Sequence, residues 1–184
     1  KGETVVDTDE EPAKIDTSKI PGLRAAFGKD GVLTAASSSK ISDGAAATLV
    51  MSADEAQRRG VTPLARIVAH ATHAQAPEWF TTAPVDAIRK VLEKAGWSVG
   101  DVDLFEVNEA FACVAMAPMK DLGIAHEKLN IRGGACALGH PIGASGARLV
   151  VTLIAALRAT GGKRGVASLC IGGGEATAIA IELP

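Results

Sequence analysis

Apolar and polar positions change their period along this chain, and each change marks an element. Residues 1–22 have no period: Asp7, Asp9, Glu10 and Glu11 precede Pro12, and Pro21-Gly22 closes the stretch. That predicts a solvated connecting segment, with room for a short strand at Thr4–Val6. Val32–Ala35 then reads as a short strand, Ser42-Asp43-Gly44 as the opening of a helix through Ala45–Thr48, and Leu49–Met51 as a buried strand. Ser52 followed by Asp54 and Glu55 predicts an N-capped helix with acids in its first turn, stopped by Gly60. Pro63–Ala76 is long, apolar and strand-like. Asp86–Ala95 carries Ile88, Val91 and Leu92 on one helical stripe, and Gly96 ends it.

The second half alternates more clearly. Asp103–Val107 predicts a strand, Glu109–Leu122 a helix, and Gly143–Thr160 the strongest helix, with Leu149, Leu153, Ala156 and Leu157 at helical spacing. Val166–Ile171 and Ala176–Leu183 are apolar strands joined through Gly172-Gly173-Gly174, the signature of a hairpin. Strands alternating with helices of ten or more residues predict an α/β layered sheet that closes in an antiparallel hairpin.

Composition narrows the function classes. With 184 residues, 47% hydrophobic and 22% charged, the chain suits one globular domain rather than a disordered segment. A net charge of −2 gives no general attraction to nucleic acid, and an aromatic share of 3% without tyrosine gives no stacking platform for bases. No apolar run is long enough for a membrane span. Cys113, Cys136 and Cys170 are an odd number at wide spacing, which argues against a disulfide framework or structural zinc. A reducing compartment follows, with the cytoplasm as the assignment and the mitochondrial matrix as another such compartment. The chain opens at Lys1 inside a polar stretch and reads as a piece of something longer.

Three places carry candidate chemistry. Gly139-His140-Pro141-Ile142-Gly143-Ala144-Ser145-Gly146 sets a histidine on a constrained turn directly before a helix. It lacks the Gly-Lys-Ser/Thr of a phosphate loop and the spacing of a nucleophile elbow. Cys170-Ile171-Gly172-Gly173-Gly174 sets a thiol at a strand end, beside glycine amides able to hold an oxyanion. Asn108-Glu109-Ala110-Phe111 sets a polar pair between a strand and a helix. Taken singly, each has an ordinary structural reading: a turn histidine, a small core hydrophobe and an N-cap. Together they can converge at one edge of a sheet, where α/β proteins bind ligands.

Val107-Asn108-Glu109-Ala110-Phe111-Ala112, the His140 segment and Cys170-Ile171-Gly172-Gly173-Gly174, in that order, closely resemble the thiolases. Val32-Leu33-Thr34-Ala35 and Ser42-Asp43-Gly44-Ala45-Ala46-Ala47 resemble them too, with the acetyl-CoA acetyltransferase branch best matched. The resemblance implies one half of a thiolase-like layered fold: a mixed five-stranded sheet with helices on both faces. Residues 1–30 become the end of a connecting segment and 31–184 the C-terminal domain, with the nucleophile-bearing N-terminal half absent from the chain.

The resemblance also implies a reaction, the reversible Claisen condensation and thiolytic cleavage of a 3-ketoacyl-CoA, acetoacetyl-CoA in particular. Coenzyme A and acetyl-CoA enter as substrates, with no cofactor and no metal. Cys170 matches the cysteine that exchanges the proton of the attacking acetyl-CoA. His140 matches the histidine that activates the nucleophilic thiol and donates to the thioester oxygen. Asn108 matches the residue holding the water of that oxyanion site, and the Gly172 amide matches a donor of the second one. Ser39, Ala35, Phe27, Ala110 and Phe111 match positions lining the pantetheine groove. Phe80 falls where acetoacetyl-CoA thiolases usually carry a methionine against the acyl group. The implied partners are an N-terminal thiolase half and further copies in a homo-dimer or tetramer. An acyl-CoA-binding module without turnover is the contrasting reading. A half-molecule is also expected to expose an apolar helix face, the Leu149–Leu153–Leu157 stripe.

Overall fold

The sheet is built from strands far apart in sequence, and its order explains where the candidate residues gather. The computed structural model describes residues 2–184, apart from the side chains of Glu11 and Pro12. Its strands are β1 (Arg66–Ala74), β2 (Leu104–Val107), β3 (Arg164–Cys170) and β4 (Glu175–Glu182). They lie in the order β1-β4-β3-β2, with β2 parallel to β3 and the other two pairings antiparallel. β3 and β4 form the hairpin predicted around the triple glycine. β2 and β3 are neighbours in space although residues 108–163 separate them, so Asn108, where that crossover leaves β2, lies at the C-terminal end of the parallel pair beside the end of β3.

The helices are α1 (Glu10–Lys14), α2 (Ala53–Arg58), α3 (Ala83–Ala95), α4 (Ala112–Leu122), α5 (Ala135–Leu138) and α6 (Ser145–Thr160). Alternation along the strands gives the sheet two apolar faces. Phe105, Val107, Val166, Ala176, Ala178 and Ala180 face Ile88, Val91 and Leu92 of α3 and Val114 of α4. Leu104, Ala167 and Ile181 face α6. Pro84 occupies the first turn of α3, where its missing N–H costs nothing, so α3 starts three residues before the period implied. Gly96, in a left-handed conformation, ends it as expected.

Several expectations are corrected. Four strands, not five, form the sheet among the described residues. Val32 and Leu49, in the segments read as strands, are 88% and 83% exposed, so no second apolar layer rewards their extension. Ala35–Ser37 folds instead into a 3₁₀ turn, with Thr34 and Ser37 exchanging capping hydrogen bonds. The helix expected at Ala45–Thr48 and the strand at Thr4–Val6 are irregular backbone. The Leu149–Leu153–Leu157 stripe, expected to be exposed, is buried against β2, β3 and β4. The exposed apolar side chains lie elsewhere: Val32, Ile41, Leu49 and Val50 cluster in the irregular stretch after residue 31.

Candidate active site

Asn108 ends β2, and its amide donates to the Ser168 carbonyl at 2.9 Å, the last rung of the parallel pairing. Its side chain is buried, with Nδ2 3.3 Å from His140 Nε2. A sequence separation of thirty-two residues is thus closed into one hydrogen bond. The His140 turn is held from both sides. Its backbone N–H donates to the Lys40 carbonyl at 2.7 Å, and the amides of Ala144 and Ser145 converge on the Pro141 carbonyl at 2.7 and 2.9 Å to start α6. Gly139 has φ +92, and a Cβ there would lie 2.2 Å from Ser42 Oγ, so glycine is what lets residues 40–42 lie against the turn. His140 Nδ1 is 2.6 Å from Ser145 Oγ. Burial, and then the charge of Arg148, lower the pKa of His140, so the neutral ring is favoured.

Cys170 ends β3 on the α3 and α4 face, packed against the core there. Burial pushes its thiol up to about 11, the nearby Cys113 adding to the effect. The turn that follows is closed by Ile171 donating to Glu175 and Gly174 to Ile171. Among the described residues the Gly172 amide makes no backbone hydrogen bond. Gly174, at φ +100, approaches so closely that a Cβ would lie 2.3 Å from the Gln75 carbonyl.

The groove residues also assemble. Ser39 donates to the Ala110 carbonyl through both its amide, at 3.1 Å, and its hydroxyl, at 2.9 Å. Phe111 meets Phe27 edge to face at 5.6 Å between ring centres and Phe80 at 6.4 Å. Ala35 sits just upstream, at the start of the Ala35–Ser37 turn. Beside the His140 turn, residues 42–46 and 141–144 bound an open cleft of about 410 Å³.

Several residues that support the site carry no spacing signal. Asn130, at φ 50, clamps the end of β2 by accepting from the Val107 amide at 2.8 Å and donating to its carbonyl at 2.9 Å. Glu109 accepts from Asn130 at 3.3 Å and from the Cys136 amide at 3.1 Å, tying the glycine-rich loop to the strand. Burial and then Glu109 push the Cys136 thiol up to about 12, which disfavours its thiolate. Under the site, buried Glu106 faces Arg148 of α6 at 3.7 Å, and burial pushes its carboxyl up to about 7 against the pull of that guanidinium. Ser145 is the one such residue the sequence could have offered, as a serine five positions after a turn histidine and opening a helix. Among the described residues no group of three His, Cys, Asp or Glu side chains is placed to hold a metal ion, and no helix is long and apolar enough to cross a membrane.

A layered α/β sheet with Asn108 and Cys170 at one end of its parallel strands, and His140 against Asn108, is the candidate site, and comparison with known proteins identifies the family. The thiolase C-terminal domain matches residues 61–183 and the thiolase N-terminal domain matches residues 1–54. The chain belongs to the thiolase family. It is 52% identical to an acetyl-CoA acetyltransferase of Paracoccus denitrificans, over all of this chain and 47% of that protein. It is 51% identical to a probable acetyl-CoA acetyltransferase of Dictyostelium discoideum, over 97% of this chain and 43% of that one. Among solved structures, the Bacillus anthracis acetyl-CoA acetyltransferase superposes with a TM-score of 0.92 at 46% identity, covering 96% of this chain and 45% of that one. Human mitochondrial 3-ketoacyl-CoA thiolase in complex with CoA gives 0.88 at 38% identity, covering 97% and 46%. The chain spans about half the length of the curated relatives it matches.

Proposed function

We propose that this chain supplies the C-terminal catalytic half of an acetyl-CoA acetyltransferase, which condenses two acetyl-CoA molecules into acetoacetyl-CoA and cleaves the product in reverse. The observation that carries the reading is the contact between buried Asn108 and His140, beside the helix start at Ser145. In the first step His140 takes the proton of a cysteine thiol on the N-terminal half, and the thiolate attacks the thioester carbonyl of acetyl-CoA. The departing CoA thiolate needs a proton, and Cys170 holds one. Giving it up leaves a Cys170 thiolate, which removes the α-proton of the second acetyl-CoA. The resulting carbanion attacks the acyl-cysteine, forms the new C–C bond and releases the first cysteine as its thiolate. A thiol pushed up by burial makes a stronger base once ionised, which suits a weakly acidic α-proton.

Asn108 and His140 serve the enolate oxygen, and the Gly172 amide the oxygen of the acyl-cysteine. Phe27, Ala35, Ser39, Ala110 and Phe111 take the pantetheine arm, with Phe80 limiting the acyl chain. Coenzyme A thioesters are the only small molecules the scheme requires; no cofactor or metal enters it. We place the protein in the cytoplasm, where unpaired Cys113, Cys136 and Cys170 stay reduced, as a homo-dimer or tetramer in company with the N-terminal half. Binding without turnover is less well supported, since a bare CoA-binding module has no use for a buried Asn–His pair.

The test uses the protein in which this chain is joined to an N-terminal thiolase half. Cys170→Ser should still take an acetyl group onto the nucleophilic cysteine, seen by intact mass, yet barely condense it. His140→Ala should acylate more slowly by about 10²–10³, the effect of losing one preorganised oxyanion donor. A Cys170→Ser variant that fails to acylate, beside a His140→Ala variant that acylates normally, would overturn the assignment.

A further inference from the structure

We infer that Ser145 is a positioning residue that holds His140 in the tautomer with its proton on Nδ1, leaving Nε2 as the one nitrogen that exchanges protons with substrate and thiol. The inference rests on the reading of His140 given above and adds the group that decides which of its nitrogens works. Ser145 is the first residue of α6 and fully buried, so its hydroxyl has no solvent to turn toward. It lies 3.0 Å from the Pro141 carbonyl and 2.6 Å from His140 Nδ1. A carbonyl only accepts, so the bond to Pro141 forms by the hydroxyl donating its single proton there. The hydroxyl oxygen then has only lone pairs to offer Nδ1, and Nδ1 must carry the proton.

The far side of the ring agrees. Nε2 faces the amide nitrogen of Asn108 at 3.3 Å, a donor that suits a bare lone pair. With the Asn108 nitrogen on the ring side, the other tautomer would set two donors against each other across that distance. The assignment matters because the ring is neutral: with burial and Arg148 both opposing a second proton, the choice between the two nitrogens is what remains to be fixed. It also explains how one histidine can first take a thiol proton and then offer it to an oxygen. Both events use Nε2, while Ser145 and the Pro141 carbonyl keep the ring from turning. The backbone of the same turn supplies the rigidity, since Pro141 accepts three bonds from residues 144 and 145.

The decisive measurement is nitrogen NMR of the joined, full-length protein with labelled histidine, which distinguishes a protonated from a bare ring nitrogen without reference to activity. His140 should show Nδ1 protonated and Nε2 bare; the reverse pattern overturns the inference. Ser145→Ala should bring the second tautomer into the spectrum and lower kcat by between about 10-fold and 10²-fold, below the 10²–10⁴ that acid–base catalysis as a whole supplies. KM should stay within about twofold, since the substrate loses no contact. Ser145→Thr, which keeps the hydroxyl, should recover most of kcat. An alanine variant with unchanged kcat and spectrum also overturns the inference. Should that variant fail to fold, the wild-type spectrum decides alone. Absence of any acyl transfer by the wild type would strike the proposed function and leave the nitrogen pattern to judge Ser145 separately.

Discussion

Residues 83–184 and residues 24–51 treat their apolar side chains in opposite ways. In the first region Ile88, Val91, Leu149, Leu153 and Leu157 are sealed between sheet and helices; in the second Val32, Ile41, Leu49 and Val50 stand in solvent. The irregular stretch is nevertheless no bystander. It touches the site at two backbone points, Ser39 to Ala110 and Lys40 to His140. The difference teaches that an apolar residue becomes a core residue only where a second layer exists to receive it. The N-terminal thiolase domain matches residues 1–54, the stretch in which all four of these exposed side chains lie.

The largest expected effect lies in the sealed region. Leu153→Ala should destabilise the 184-residue chain by about 2–5 kcal/mol, read as a shift in the urea midpoint, because it leaves a cavity under α6. A loss near zero would mean that α6 does not hold the sheet.

Second comes the charge buried beneath the site. Glu106 is pushed from its ordinary 4.5 to about 7, so the folded state binds its proton more tightly than the unfolded chain does. The sign follows: the stabilising, protonated form is present below pH 4.5 and lost as pH rises through about 7. Over that window the wild type should lose roughly 3 kcal/mol relative to Glu106→Gln, whose side chain does not titrate. Parallel pH–stability curves would refute it.

A smaller cost attaches to Gly174→Ala. The +100° φ and the carbonyl 2.3 Å from the new methyl should together cost about 1–3 kcal/mol, measured by thermal unfolding. Smallest of all is Leu49→Ala, which should stay within about 0.5 kcal/mol in this chain. Joining the chain to an N-terminal half should raise that cost and slow hydrogen exchange through residues 32–50. If neither changes, the two regions differ by nature and not by the absence of a cover.

The sequence was most readable where a period ran long. α6 follows from a sustained 3.6-residue pattern and the β3–β4 hairpin from two apolar runs joined by a triple glycine, and their boundaries fall within a few residues of expectation. Short apolar runs were not readable: Val32–Ala35 and Leu49–Met51 look like strands, but pairing depends on a neighbour that no local pattern reveals. The direction of the α6 stripe was also misread, because resemblance to a two-part fold suggested a free face where the sheet in fact takes it. His140 and Cys170 stand out beside glycine or proline, and Asn108 as a polar residue directly after the apolar run of β2. Glu106, Arg148 and Asn130 do not. Their roles arise from contacts between a strand, a helix and a loop, and such meetings leave no trace in spacing.

The parallel pairing of β2 with β3 has a consequence for how the molecule comes into being. Asn108 and His140 both lie on the crossover between those strands, and Cys170 lies at the strand that completes it. The chain must therefore close the crossover of residues 108–163 before Cys170 joins the other two groups at one end of the sheet, and loop closure of this kind slows the assembly of a sheet. Local structure, such as α6 or the β3–β4 hairpin, can form early and be chemically blank.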